Sequence, residues 1–369
     1  MSKSKVLFIL HLPPPIHGAA MVGEFIRQSE FLNSSFDCDY INLQTSRKLT
    51  DTGRGLFNKF FRFVALYFKV ISALFATRYD LCYMTLNTKG AAFYKEILIV
   101  FLLKSFRKKI VYHFHNKGVS NFSNQFINNL LYKFVFSNTQ SILTSRFLYD
   151  DIKKYVQAKN VFYCPNGIPP VITPKPSVLA NSKNAGRPKI LFLSNMIKDK
   201  GVWILLEACQ LLHKRKVDFE CHFAGSWGDI NETEFSQNIV AKGLSNCVIS
   251  HGRKVGIEKF DLLVRSDIFA LPTFNDCFPL VLLEAMQFSL PIITTYEGGI
   301  PEIVKNKENG ILIPKGDIKE LADKLEILIL NPELCYKMGE FGKKRFDKNF
   351  TLKKFESTIG NILKHCAKE

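Results

Sequence analysis

The chain has 369 residues, enough for two domains with full cores, and 47% of them are apolar, which excludes an extended disordered polymer. Nine scattered cysteines with no Cys-x-x-Cys pair argue against zinc and against a disulfide framework, and suit a reducing compartment. The net charge of +17 is uneven: residues 1–170 hold 22 Lys and Arg against 9 Asp and Glu, and the remainder 28 against 24. Partners of the first half are therefore expected to be anionic, such as phospholipid head groups, a lipid pyrophosphate or nucleic acid.

Met1-Ser2-Lys3-Ser4-Lys5 runs straight into an apolar strand over Lys5–Leu10, so no cleavable signal peptide is expected. A loop from His11 to Gly18 precedes a helix starting near Ala19, which is how a Rossmann-type unit opens. It contains no Gly-x-Gly-x-x-Gly, so a dinucleotide fingerprint is absent. His17 and Gly18 read equally as a tight turn or as a phosphate-facing loop. Asp37-Cys38-Asp39 has the form of an Asp-x-Asp metal motif, but it falls inside a strand expected over residues 36–43 and is set aside as chance. A Phe-rich amphipathic helix spans Leu56–Ala76, flanked by Arg54, Lys59, Arg62, Lys69 and Arg78. Aromatic and basic residues together suit an anionic membrane surface; a buried face with a solvated rim has the same pattern.

A strand over 80–85, a helix over 91–106 and a strand over 109–113 follow. The apolar run within that helix ends at Lys104, far short of a membrane span. The last strand leads into Tyr112-His113-Phe114-His115-Asn116-Lys117-Gly118. Alternate strand positions share a face, so His113 and His115 can both line a site at the strand's carboxyl end. As a metal pair they lack a third ligand nearby, and neither a metal nor another cofactor is expected. A helix over 120–137 and strands over 142–144 and 160–164 complete the first domain. Residues 169–187, rich in Pro, Ser, Asn and Lys, read as a linker.

The pattern then restarts. A strand over 189–193, a loop from Ser194 to Gly201 and a helix over 202–214 are followed by strands over 219–224 and 246–249. The apolar run 267–271 reads as a buried strand, with a polar loop after it and a helix opening at Pro279 as its first residue. The N–H groups of Leu280 and Val281 would then form an anion site beyond the strand's carboxyl end. Asp276 before this helix can grip a sugar hydroxyl, and Glu284 within it can reach a ribose if the helix is short. A helix cap and a solvated charge are the plain alternatives, but Glu284 sits among apolar neighbours, and a carboxylate there needs a partner. A strand over 291–295 precedes terminal helices, the last expected to cross back to the first domain.

Asp276–Met286 reads Asp-Cys-Phe-Pro-Leu-Val-Leu-Leu-Glu-Ala-Met. It resembles the E-x7-E signature of retaining glycosyltransferases of family 4, usually E-G-F-G-L-V-L-L-E-A-M. Asp276 replaces the first Glu, and Cys277 and Pro279 replace glycines. Four more stretches resemble family patterns: Pro165-Asn166-Gly167, Asn195 to Lys200-Gly201 (Asn195 standing where the family has Arg), His251-Gly252-Arg253-Lys254, and Gly298 to Val304 with Asn309-Gly310.

The resemblance implies an α/β GT-B fold, two Rossmann-like doubly wound domains facing across a cleft. The boundaries would be 1–168 for the acceptor side, 169–187 for the linker, 188–350 for the nucleotide-sugar side and 351–369 for the returning helix. It implies a metal-independent transferase moving a sugar, with retention, from a nucleotide sugar to a glycan or lipid-linked glycan in cell-surface polysaccharide synthesis. Lys200, with Leu280 and Val281, would hold the donor diphosphate, and Glu284 the ribose. Asp276 and the Cys277-Phe278 backbone would orient the sugar. His115, or else His113, would contact it, and Arg253 or Lys254 would reach base or phosphate. His17 and Gly18 would border the acceptor. Such an enzyme is expected in the cytoplasm, on the inner face of the membrane, with no nucleic-acid partner. A basic nucleic-acid-binding protein and a GT-B sugar-nucleotide epimerase are the other readings.

Overall fold

A computed structural model of the protein describes residues 3–44, 56–171 and 186–368; Arg54, the side chain of Lys59 and residues 172–185 of the expected linker lie outside them. The chain forms two compact units, one made of Met1–Gly167 with Leu352–Glu369, the other of Ile168–Thr351.

In the first unit, strands β1 (Lys5–Leu10), β2 (Asp37–Asn42), β3 (Leu81–Thr85), β4 (Ile110–Phe114), β5 (Gln140–Leu143) and β6 (Val161–Tyr163) form a parallel sheet in the order β2-β1-β3-β4-β5-β6. The central strands are almost wholly buried, as strands covered by helices on both faces must be. Helices α1 (Gly18–Gln28), α2 (Glu30–Ser35), α3 (Leu56–Ala76), α4 (Gly90–Ser105), α5 (Val119–Phe122), α6 (Phe126–Phe136) and α7 (Tyr149–Ile152) connect them.

The helix expected over 120–137 is broken into α5 and α6. The Asp151 carboxylate accepts from the amides of Gly118, Val119 and Ser120 at 2.8, 3.1 and 3.0 Å and so pins α5. Ser123 then folds its hydroxyl back onto the Ser120 carbonyl, a local bond that competes with helix continuation. Asp37 and Asp39 on β2 are occupied, Asp37 by Lys5 at 3.0 Å and Asp39 by the Tyr79 hydroxyl at 2.7 Å.

The second unit repeats the plan with β7 (Lys189–Leu193), β8 (Glu220–Ala224), β9 (Val248–Ser250), β10 (Ile268–Leu271), β11 (Ile292–Thr295) and β12 (Gly310–Ile313), ordered β12-β11-β10-β7-β8-β9. Its helices are α8 (Val202–Lys214), α9 (Glu232–Ala241), α10 (Ile257–Arg265), α11 (Leu280–Gln287), α12 (Ile300–Ile303), α13 (Ile318–Ile329) and α14 (Pro332–Asn349). The final helix, α15 (Leu352–Lys368), belongs to the first unit, where its Gly360 lies against the Phe31 ring of α2.

Each order has one switch point, where successive connections leave in opposite directions: between β1 and β3 in the first sheet, and between β7 and β10 in the second. Open parallel sheets leave a crevice there, beyond the carboxyl ends of the strands. The fold thus directs attention to the loops after β1 and β3, and to those after β7 and β10.

Candidate active site

The loop after β7 and the loop after β10 are bonded backbone to backbone. Phe274 N–H donates to the Asp199 carbonyl at 2.8 Å, and the Thr273 hydroxyl donates to the same oxygen at 3.1 Å. Gly201 ends the short turn Lys198–Lys200 at φ +79°, and a Cβ there would stand 2.1 Å from the Pro272 carbonyl oxygen. Only glycine permits that approach. It seats Lys200 beside Asp276, with Nζ and Oδ2 2.8 Å apart and both side chains largely enclosed. Asn195, half-buried in the same loop, accepts the Ile197 amide on its carbonyl.

Asp276 is held from a second side by Glu297, which follows β11. Glu297 is 2% exposed. One of its carboxylate oxygens accepts the Asp276 amide at 3.3 Å and the other meets Lys315. Gly298, at φ +50°, allows the 276–278 backbone to lie against it, since a Cβ would fall 2.2 Å from the Asp276 carbonyl. Gly299 N–H donates to the Cys277 carbonyl at 2.7 Å. Cys277 and Phe278 turn their side chains inward and leave their backbone along this clamp.

Helix α11 starts at Leu280, so Pro279 is its N-cap and not its first residue. The Pro279 carbonyl accepts from Leu282 N–H at 3.2 Å, which begins the first turn one residue later than expected. The amides of Leu280 and Val281 are thereby the first two of the helix, which have no intrahelical acceptor. Glu284 lies four residues further, about 6 Å along the axis. Its Oε1 meets Lys259 of α10 at 2.8 Å, while Oε2 is buried with no hydrogen-bond partner among the described residues. A buried orphan acceptor is costly unless a ligand completes it.

Beyond β9, His251 stacks on His222 with ring nitrogens 2.8 Å apart, and burial lowers the pKa of both. Lys254 is engaged by Glu258 at 2.8 Å; Arg253 is exposed and forms no ion pair among the described residues.

In the first unit, His17 caps α1 by accepting the Ala20 amide on Nδ1, and burial together with the nearby His11 brings its pKa down to about 4. Nothing lies within 4 Å of where a Gly18 Cβ would stand, so crowding does not require glycine there. His11, at the end of β1, bonds Thr85 through Nδ1 at 3.0 Å and approaches the buried Glu96 through Nε2 at 3.3 Å. His113 is fully buried and bonds the Tyr83 hydroxyl through Nδ1; it lies within the core rather than on a site surface, because β4 continues one residue past it. His115, just beyond β4, is half-buried as a residue, and both its ring nitrogens are buried without a partner among the described residues. Burial, then the proximity of His11 and His17, brings its pKa down to about 3, so it is neutral at neutral pH. Among the described residues no group of three or more His, Cys, Asp and Glu is placed to hold a metal ion.

Sequence reasoning passed over Glu297, Lys315, Lys259, His11 and Glu96. Glu297 had a visible signal, a carboxylate between an apolar strand and a Gly-Gly pair. The other four are brought in by tertiary packing, with no spacing that links them to their partners.

Residues 179–345 match the family described as glycosyl transferases group 1. The amylovoran biosynthesis glycosyltransferase AmsK of Erwinia amylovora is 32% identical over 140 residues, which is 36% of this chain and 34% of that one. The capsular polysaccharide biosynthesis glycosyltransferase CapM of Staphylococcus aureus is 27% identical over 160 residues, 43% and 41% of the two chains. The match therefore spans only between a third and about two fifths of the length of these curated relatives. Two solved structures are similar over 98% of this chain and 99% of theirs, each with a TM-score of 0.74: the sucrose-phosphate synthase from Thermosynechococcus elongatus, at 17% identity, and HepE of Anabaena in complex with UDP and glucose, at 19%. The likeness gives the fold, GT-B.

Proposed function

We propose that this chain, whose second unit carries a glycosyl transferases group 1 domain, is a glycosyltransferase that moves a sugar from a nucleotide sugar to a glycan or lipid-linked glycan in cell-surface polysaccharide synthesis. One observation carries the reading. At the switch point of the second sheet, Lys200 and Asp276 are clamped together beside a helix start, and that helix carries Glu284 with a buried oxygen that has no partner among the described residues. A cation, free amides and an orphan carboxylate acceptor are what a nucleoside diphosphate-sugar asks for.

Glu284 Oε2 accepts from a ribose hydroxyl, with Lys259 holding the other oxygen in place. Lys200 and the amides of Leu280 and Val281 bind the diphosphate and stabilise the charge it gains on leaving. Asp276, positioned by Glu297, accepts from sugar hydroxyls. Asn195, Arg253 and the backbone of Cys277 and Phe278 complete the donor contacts. In the first unit, neutral His115 offers one donor and one acceptor to a hydroxyl-rich ligand, near the loop of His17 and Gly18.

The reaction proceeds with retention and without a metal. The bond from the anomeric carbon to the phosphate oxygen breaks with its electron pair on the phosphate. The acceptor oxygen bonds to the same face, and its proton passes to the departing phosphate. No side chain forms a covalent intermediate. The resemblance of residues 276–286 to the E-x7-E signature supports this course, and the polysaccharide-synthesis names of the relatives support the class of acceptor. The binding of UDP and glucose by HepE makes uridine nucleotides the first donors to try.

The test is thermal stabilisation of the full chain by a panel of nucleotide sugars and nucleoside diphosphates, with EDTA present. One nucleotide sugar should raise the melting temperature well above the others, and Glu284→Ala should abolish the rise. A flat response in both proteins would remove the donor site, and turnover without any acceptor would point to an epimerase.

A further inference from the structure

We propose that the outer surface of α3, α4 and α6 docks on a lipid bilayer bearing anionic head groups. The proposal is independent of the donor site. Right-handed crossovers from β2 to β3, β3 to β4 and β4 to β5 step across the sheet in one direction, which lays these three helices side by side on one face. The packing agrees: α3 touches α4, and α4 touches α6.

The side of this layer away from the sheet is apolar. On α3, Phe61, Phe68 and Phe75 recur every seventh residue, so they form one stripe, and they are 66%, 63% and 77% exposed. On α4, the exposed residues Tyr94, Leu98 and Phe101 follow the i, i+4, i+7 pattern of a second stripe. Phe126 and Leu130 open a third on α6, with Phe126 82% exposed. Ring contacts join the stripes: Phe75 meets Phe106 at 5.0 Å between centroids, and Phe101 meets Phe134 at 6.3 Å. Scattered exposed apolar residues are ordinary, but a continuous patch of this kind marks an interaction surface.

Charge identifies the partner. Across the three helices the sequence places Lys59, Arg62, Lys69, Lys95, Lys104 and Lys133, against Glu96 as the single acid. Glu96 faces inward, buried against Asn87 and His11. Among the described residues of these helices, exposed aromatic and aliphatic side chains therefore stand beside exposed Arg62, Lys69 and Lys133, and the helices themselves add no outward carboxylate to repel phosphate head groups. Long basic side chains can lay their stems on the apolar patch and raise their charges to the head-group layer. A protein partner of ordinary composition would be expected to meet some acidic residues here, and a nucleic acid would need its cations at the centre of the patch. No described helix is long and apolar enough to cross a membrane, so the contact is one of surface docking.

The test is co-sedimentation of the full chain with vesicles of phosphatidylcholine alone, and of phosphatidylcholine mixed with phosphatidylglycerol. Binding is expected to the mixed vesicles only, and to weaken as salt is raised. The triple variant Phe68→Ser, Phe101→Ser, Phe126→Ser should bind them at least about tenfold more weakly, because three rings no longer enter the interface. Its nucleotide binding should match the parent and its melting temperature should fall only slightly, since the three side chains are already more than half exposed. Unchanged vesicle binding by this variant overturns the proposal. So does a parent chain that binds neither vesicle, or one that forms a dimer in sedimentation equilibrium that the triple variant abolishes. Failure of nucleotide binding in parent and variant alike, with vesicle binding intact, would count against the donor site and leave this surface standing.

Discussion

Replacing Glu284 with Ala isolates the orphan oxygen of the candidate donor site. In the parent, Oε2 is buried with no partner among the described residues, while Oε1 holds Lys259 at 2.8 Å. A ribose hydroxyl donating to this carboxylate makes a charge-assisted bond of about 1.5–3 kcal/mol, which converts to a loss of roughly 10- to 150-fold in nucleotide affinity. Glu284→Gln keeps the volume and a neutral bond, so its loss should be roughly tenfold or less. The cost to folding is smaller. Lys259 and Glu284 are 24% and 19% exposed, so freed Lys259 can reach water, and the pair contributes about 1 kcal/mol. The assay is titration calorimetry with UDP and its 2′- and 3′-deoxy analogues, on the parent and on Glu284→Ala. If the carboxylate binds the ribose, removing the relevant hydroxyl weakens the parent but leaves the variant unchanged, a coupled cycle. Additive losses would refute the assignment even if the variant bound weakly, because they would show that Glu284 acts through folding or charge and not through the sugar.

Three further outcomes are expected. Lys200→Met should weaken UDP by roughly 10- to 150-fold, the range for a charge-assisted phosphate contact, and leave uridine unaffected; equal losses for both would remove Lys200 from the diphosphate. Gly201→Ala forces a Cβ to within 2.1 Å of the Pro272 carbonyl at a left-handed backbone position, and should lower stability by more than about 2 kcal/mol in urea titrations; a neutral result would mean that the two loops are not locked together. His17, with its pKa at about 4, binds a proton less tightly folded than unfolded. The stability it contributes is whole above about pH 6.5 and is lost as the pH falls toward 4, at most ~3 kcal/mol. Asn retains the cap, so His17→Asn should flatten stability across that window by about 1.4 kcal/mol per pH unit, and an unchanged slope would exclude His17.

Much of the fold was legible because its strands are continuous apolar runs bounded by polar loops. Lys5–Leu10, Leu56–Ala76, Lys189–Leu193 and Val202–Lys214 fall where periodicity predicts them. The break between α5 and α6 was not legible, because its cause is Asp151, some thirty residues away in sequence. The start of α11 slipped by one residue because Pro279 suits both the cap and the first turn. His113 and His115 looked equivalent on alternation alone. The extra residue of β4 left His113 in the core, bonded to Tyr83 through Nδ1, and His115 beyond the strand end, with neither ring nitrogen partnered among the described residues.

By itself the sequence determined which residue types follow the strands, Lys200, Asp276 and His115, which carboxylate the next helix carries, Glu284, and that the helix Leu56–Ala76 is basic and rich in Phe. Those follow from patterns within a few residues, since a helix face, a strand and a glycine turn are short-range facts. Only the tertiary structure decided their partners. The Lys200–Asp276 pair spans 76 residues, the Glu297 carboxylate reaches the Asp276 amide across 21, and Lys259 reaches Glu284 across 25. The order of strands also had to be seen, because the switch points that gather these loops arise from which strand pairs with which, and every parallel strand offers the same backbone groups to its neighbours.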